Sequence, residues 1–234
     1  SGGRATTSIS YPTSPMSLQA LIFDFDGLIV DTETSIYHAW REIYQDHGQE
    51  LDLATYSDCV GSDHQQFDPM QHLDHLLGRR LDWDTLEPIK EARIRQLLEH
   101  QQVLPGVCEL LSAAAEQDIA CAVASSSSLG WVSGWLEKLE LDHRFELVRT
   151  RDHVERIKPH PDLFLAAAEG LKVQPAHAIV FEDSEHGLRA AQAAGIHCVA
   201  VPNQVTSAGA FRGAAMRLNS LAETDLESLH GLFD

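Results

Sequence analysis

Asp24-Phe25-Asp26-Gly27 sets two carboxylates at i and i+2 directly after the apolar run Leu21-Ile22-Phe23. Along a strand such residues share a side, so the two acids could meet on one cation. Acids ending a buried run are costly unless something positive holds them, and Gly27 permits the sharp exit a side chain would obstruct. Three further stretches carry chemistry in the same way. Ser125-Ser126-Ser127-Ser128 follows the apolar Ile119–Ala124, and hydroxyls with free amides at a helix start make an anion site. Lys158, one of four lysines, lies in Lys158-Pro159-His160-Pro161, where prolines restrain the backbone. Glu182 and Asp183 follow Ile179-Val180-Phe181. Each stretch also has a plain structural reading: a solvated Asp-Gly turn, a helix cap, a surface lysine, a capped helix start. Their joint occurrence favours chemistry. Carboxylates suit a hard, oxygen-ligated ion such as Mg²⁺, and a lysine beside hydroxyls and amides suits a phosphoryl group.

The elements that must position these residues follow from the apolar pattern. A short apolar run without helical period predicts a buried strand ending at the first acids. Thr32 to about Gln102 reads as helical, with Ile36, Trp40, Ile43 and Tyr44 at helical spacing and a stop at Gly48. Further helices are expected around Phe67–Leu77 and Thr85–His100. From Pro105-Gly106 onward helices alternate with strands: helix Val107–Glu116, strand Ile119–Ala124, helix Leu129–Leu139, strand Phe145–Val148. Then come helix Pro161–Leu171, strand His177–Phe181, helix Ser184–Ala194, strand Ile196–Val201, a short strand Met216–Leu218 and a helix from Thr224. Alternation of this kind predicts an α/β fold with a parallel sheet and helices on both faces. Such sheets bind ligands beyond the carboxyl ends of their strands. A helical block inserted after the first strand would cover that edge as a lid.

The bulk properties bound the partners. A chain of 234 residues with net charge −18 does not suit nucleic acid or an anionic membrane surface, both of which need a basic face. No apolar run is long enough to predict a membrane span. Cys59, Cys108, Cys121 and Cys198 form no close pair, so free buried thiols in a reducing cytoplasm are expected. Ser1–Ser17 reads as a disordered lead, and a monomer is expected.

The ordered set FDFDGLIVDTE, strand-end serine, KPHPD and FEDSEHG resembles the haloacid dehalogenase superfamily, in its β-phosphoglucomutase-like phosphatase branch. The resemblance spans roughly residues 18–230. It implies a Rossmann-like core of residues 18–33 and 104–234, with a helical cap of residues 34–103 hinged near Asp31–Thr34 and Gln101–Pro105. It further implies Asp24 as a nucleophile forming an aspartyl phosphate and Asp26 as general acid and base. Mg²⁺ would be held by Asp24, the Asp26 main-chain carbonyl and Asp183, with Glu182 close by. Ser125, Ser126 and Lys158 would bind the phosphoryl oxygens, together with the peptide groups of Gly27 and Leu28. The implied substrate is a small phosphorylated metabolite.

Departures from relatives sharpen this expectation. Dehalogenases lack the second acid, and Asp26 is present. Phosphonoacetaldehyde hydrolases need a cap lysine, and Lys90 stands late in the block. β-Phosphoglucomutases carry a cap histidine where this chain has Ile36. They have an arginine after the glycine matching Gly61, where Ser62, Asp63 and His64 stand, and Lys-Asn where Ser128-Leu129 stand. Hydrolysis is therefore expected over the phosphomutase alternative, and over a non-catalytic binding protein. His64, His72 and His75 read as a solvated face, Trp131 and Trp135 as core packing, and Arg79, Arg80, Arg93 and Arg95 as surface charges. Arg93 alone is a candidate to reach the substrate.

Overall fold

Strand β1 (Ala20–Phe23) lies at the centre of a parallel sheet between β2 (Ala120–Ala124) and β4 (Ala178–Glu182). The computed structural model describes residues 17–57 and 67–233, and everything structural below refers to these. The sheet is completed by β3 (Leu147–Arg149), β5 (His197–Ala200) and β6 (Met216–Arg217), in the order β3-β2-β1-β4-β5-β6. Phe23 pairs in register with Val123 on one side and Phe181 on the other, so Asp24 leaves the sheet level with the ends of both neighbours. All pairings are parallel, so these chain ends gather at one edge.

Alternation along the strands builds two different faces. Leu21, Phe23, Cys121, Val123, Ile179 and Phe181 point to one side. There they pack on α5 (Val107–Glu116), α6 (Leu129–Lys138) and α9 (Leu226–His230). Ala20, Ile22, Ala122, Ala124, Ala178 and Val180 face the other side, under α7 (Asp162–Leu171) and α8 (Glu185–Ala194). The expected α/β architecture is the observed one.

Four helices come between β1 and α5: α1 (Thr32–Asp46), α2 (Leu53–Ser57), α3 (Pro69–Leu77) and α4 (Trp83–Leu98). They bury a cluster of their own around Tyr37, Trp40, Tyr44, Tyr56, Leu73 and Trp83. Val205, from the loop after β5, joins that cluster and ties the block to the sheet edge. Glu42 accepts two 2.8 Å hydrogen bonds from Arg93, and Lys90 lies over Trp40, so α1 and α4 are clamped together. Arg93 is thereby an interhelical ion pair. The two connections to the sheet touch each other: the Leu104 N–H donates to the Ile29 carbonyl at 2.8 Å, and Val30 bridges Val103.

α1 begins at Thr32, capped by Asp31, where the helical stretch is expected to start. Of the cysteines, Cys121 and Cys198 are free and buried as expected, whereas Cys108 is free but exposed. His72 stacks on Tyr44 and shares a 3.0 Å hydrogen bond with its hydroxyl. No helix among the described residues is long and apolar enough to cross a membrane. The lead up to residue 16, Cys59, Gly61, Ser62, Asp63 and His64 lie outside the described residues.

Candidate active site

Lys158 reaches the sheet edge from the loop before α7 and is only 2 % exposed. Its Nζ donates to Asp24 Oδ1 and, at 2.5 Å, to Glu182 Oε1. The Phe164 ring lies beneath the same ammonium, 4.9 Å from its centroid. Burial pulls the Lys158 pKa down, but the two carboxylates outweigh that and hold it above the usual lysine range. The lysine is a fixed, fully charged cation, not a solvated surface residue.

One lysine does not balance the acids around it. Asp24, Glu182 and Asp183 are all buried, and one ligand oxygen from each can be chosen so that all lie within 4.8 Å of one another. Burial, partly offset by Lys158 and reinforced by Glu182 and Asp26, raises the Asp24 pKa to about 8. Asp183 is raised well above the ordinary range, first by burial and then by Asp24, Glu182 and Glu33. Such raised values mark carboxylates short of positive charge. Three oxygen donors with surplus negative charge have the chemistry of a hard divalent cation site.

Surrounding residues fix each acid. Ser184 donates to Glu182 Oε2 through its hydroxyl (2.9 Å) and its N–H (3.2 Å), then accepts from the Gly187 N–H (3.1 Å) as cap of α8. Asn203 Nδ2 donates to Asp183 Oδ2 at 2.6 Å. Its Oδ1 accepts from the N–H groups of Val205 (2.8 Å) and Thr206 (3.2 Å), so the amide is oriented by its own turn. Gly27, at φ +81°, leaves the space between them: a Cβ there would lie 2.3 Å from Asn203 Nδ2 and 2.4 Å from Asp183 Oδ2.

The carboxylate of Asp26 does not join this cluster. The strand ends at Phe23, so the i, i+2 alternation stops before it can bring Asp26 beside Asp24. Asp26 instead accepts from Thr32 Oγ1 (2.8 Å) and Trp131 Nε1 (2.8 Å) on Oδ1. Ser127 Oγ (2.6 Å) and Ser125 Oγ (3.4 Å) donate to Oδ2. The expected convergence of both acids' side chains on one ion is therefore corrected. Ser125 is buried beside this group at the end of β2, and Ser126 follows it half-buried. The N–H groups of Gly27 and Leu28 donate within the turn, to Val30 and Phe25 carbonyls at 2.8 and 3.3 Å, so a phosphoryl oxygen would have to share them.

Sequence reasoning missed Thr32, Ser127, Trp131, Ser184, Gly187, Asn203 and Glu33. Thr32, Ser184 and Gly187 stood inside quoted motifs without a role. Trp131 was taken for packing alone, which it also does, edge-on to Trp135 with centroids 6.0 Å apart.

Fold and site define a hydrolase class, and comparison with known proteins agrees. The model of the haloacid dehalogenase-like hydrolase family matches residues 21–201. "Putative phosphatase YhcW" of Bacillus subtilis is 41% identical over 91% of this chain and 96% of its own length. "Fructose-1-phosphate phosphatase YqaB" of Escherichia coli is 36% identical over 77% of this chain and 95% of its own. The crystal structure of a "putative beta-phosphoglucomutase" from Thermotoga maritima superposes with a TM-score of 0.71 at 26% identity, covering 88% of this chain and 96% of that one. The chain belongs to the haloacid dehalogenase-like hydrolases, in the branch that holds the β-phosphoglucomutase-like structures. Taken with its phosphatase relatives, that membership makes it a phosphoric monoester hydrolase.

Two outcomes follow from the geometry. A Cβ at position 187 would fall 1.8–2.0 Å from the Glu182 carboxylate atoms. Gly187→Ala should displace Glu182 from Lys158 and lower phosphate release at least about tenfold, as loss of one fixed electrostatic partner does. Unchanged turnover in a folded variant would contradict this.

Glu33, half-buried in the first turn of α1, has its pKa raised to about 8 by burial and by Asp26, Asp24 and Asp31. The folded protein then binds a proton there that the unfolded chain releases near the ordinary value of 4.5. This contribution to stability is full below that value and lost as pH rises through the raised one. In chelator, Glu33→Gln should raise the melting temperature at about pH 8.5 and leave it unchanged at about pH 4, the two sides of that window. Equal shifts at both would contradict it.

Proposed function

We propose that the chain hydrolyses a small sugar phosphate or similar phosphorylated metabolite through a covalent aspartyl phosphate on Asp24. The observation that carries this is the buried Lys158 joined to both Asp24 and Glu182, with Asp183 in the same carboxylate cluster. Asp24 attacks phosphorus while the alkoxide of the leaving group takes a proton from Asp26. In the second half, Asp26 takes a proton from water as that water attacks the phosphoaspartate, returning Asp24 and releasing phosphate. Lys158 and the Ser125–Ser126 segment hold the phosphoryl oxygens, with the turn at Gly27 and Leu28 beside them. The raised Asp24 and Asp183 and their mutual approach fit Mg²⁺, which would be held by Asp24 and Asp183, with the Asp26 carbonyl and Glu182 near. Bound there, the ion supplies charge neutralisation to the phosphoryl group and to the crowded acids.

The block of α1–α4 acts as a cap over the sheet edge, excluding bulk water during transfer and opening for release. Residues 63 and 64 are the proposed selectors of the leaving group. A sugar phosphate is favoured because the relative from E. coli is named for fructose 1-phosphate. Ile36, where a mutase has its cap histidine, packs among apolar side chains of both the cap and the main core. It offers no acid or base to a bisphosphate intermediate, so water is the proposed acceptor.

The test is phosphate release from hexose phosphates, fructose 1-phosphate, nucleotides and phosphoglycolate, with and without Mg²⁺. Asp24→Asn is run in parallel. Metal-dependent release that falls at least about 10³-fold in the folded variant is the expected outcome for removal of a nucleophile. Retained turnover in Asp24→Asn would overturn the role of Asp24, and glucose 6-phosphate formed from β-glucose 1-phosphate without free phosphate would overturn hydrolysis.

A further inference from the structure

The four donors on Asp26 are chemically unequal, and the difference distinguishes its two oxygens. Thr32, Ser125 and Ser127 present hydroxyls, which can rotate and either donate or accept. The indole of Trp131 can only donate. A proton on Oδ1 could turn only to the Thr32 hydroxyl at 2.8 Å and would weaken that oxygen as the acceptor of the Trp131 N–H, also at 2.8 Å, which has no other acceptor among the described residues. Oδ2 faces hydroxyls alone, Ser127 at 2.6 Å and Ser125 at 3.4 Å. A proton there is accommodated by a turn of the serine hydroxyl. Oδ2 also lies on the side of Ser125, at the end of β2, where the phosphoryl group is proposed to sit.

The indole is in turn held firmly. Its main-chain N–H donates to the N-cap oxygen of Ser128 at 3.3 Å. Its ring stands edge-on against Trp135, whose own ring lies under the Lys138 ammonium at 4.3 Å. The start of α6 is anchored once more by the Leu129 N–H on Asp152 Oδ2 at 2.6 Å. Packing thus fixes the direction of the N–H, as a positioning group requires.

We propose that Trp131 is the positioning residue of the acid–base step. Its indole N–H keeps Asp26 Oδ1 as a standing acceptor, so the proton passed to the leaving group is carried on Oδ2. As the bond from phosphorus to the ester oxygen breaks and that from Asp24 forms, the Oδ2 proton moves to the departing alkoxide. Water later returns a proton to Oδ2 while its oxygen bonds to phosphorus and the bond from phosphorus to Asp24 breaks, freeing the Asp24 carboxylate and releasing phosphate. This deepens the phosphatase reading and rests on it.

The experiment separates leaving groups that need a proton from one that does not. The probes are fructose 1-phosphate, an alkyl ester, and p-nitrophenyl phosphate, whose phenolate leaves unprotonated. The readout is the ratio of their kcat/KM values, alkyl over aryl, which reports the first transfer alone. Trp131→Phe should lower this ratio about tenfold, a part of the 10²–10⁴ that a positioned acid supplies. Asp26→Asn should lower it further. Placing β-(3-benzothienyl)alanine at position 131, which keeps the indole shape and replaces N–H by sulfur, should give the same fall in the ratio and takes the place of Trp131→Phe where the latter folds poorly. An unchanged ratio at position 131 while Asp26→Asn lowers it, or equal loss on both esters, would overturn the role of Trp131 alone. An unchanged ratio in Asp26→Asn would overturn the underlying reading of Asp26 as the acid.

Discussion

Concentrating carboxylates in a dry sheet edge is electrostatically unfavourable, and the rest of the molecule is arranged around that fact. Asp24, Glu182 and Asp183 sit together with a single lysine among them. Removing a carboxylate from water is unfavourable unless a cation or hydrogen bonds replace the water. Lys158 supplies one charge, and Ser184 and Asn203 supply donors to Glu182 and Asp183. The remaining deficit shows as raised pKa values at Asp24 and Asp183. A site left in this condition favours whatever brings positive charge, and binding of a cation would relieve it and stabilise the fold together.

The parallel sheet makes such crowding possible. Three neighbouring strands end at one level, and each delivers its polar residues to the same edge from an apolar stem. The helices behind them pack on the sheet against large side chains on one face and mostly small ones on the other. Rigid support is what allows a hydrogen-bond donor such as the indole of Trp131 to hold an acid in one orientation without reorganising during the reaction. The helical block is tied to this edge by Val205 and by the paired connections at Val30 and Val103, and is proposed to close over it.

Much of this was legible in the sequence, for a physical reason. Buried strands read as short apolar runs, and acids, serines or lysines directly after them have no structural excuse beyond capping. Asp24, Ser125, Glu182 and Asp183 stand out that way and Lys158 by its proline-restrained turn; the structure joins Lys158 to Asp24 and Glu182 with Asp183 alongside, while Ser125 bonds Asp26. The helix Val107–Glu116 was placed to the residue, because Gly106 and the apolar spacing mark it clearly. Residues whose signal was shared with an ordinary role stayed hidden. Trp131 looked like core because it does pack on Trp135, and nothing in its spacing shows where its N–H points. Asn203 is one turn residue among many until the approach of Gly27 and Asp183 gives it a partner. The orientation of Asp26 depended on where β1 ends, a boundary that alternation alone does not locate.

The central claim is that Asp24 carries the phosphoryl group during turnover. Acid-quenching the protein after mixing with fructose 1-phosphate and Mg²⁺, then mapping its peptides by mass spectrometry, tests it directly. The account predicts a mass increase of about 80 Da on the peptide holding Asp24, lost on treatment with hydroxylamine as an acyl phosphate should be. Turnover with no adduct, or with the adduct on another residue, would contradict it.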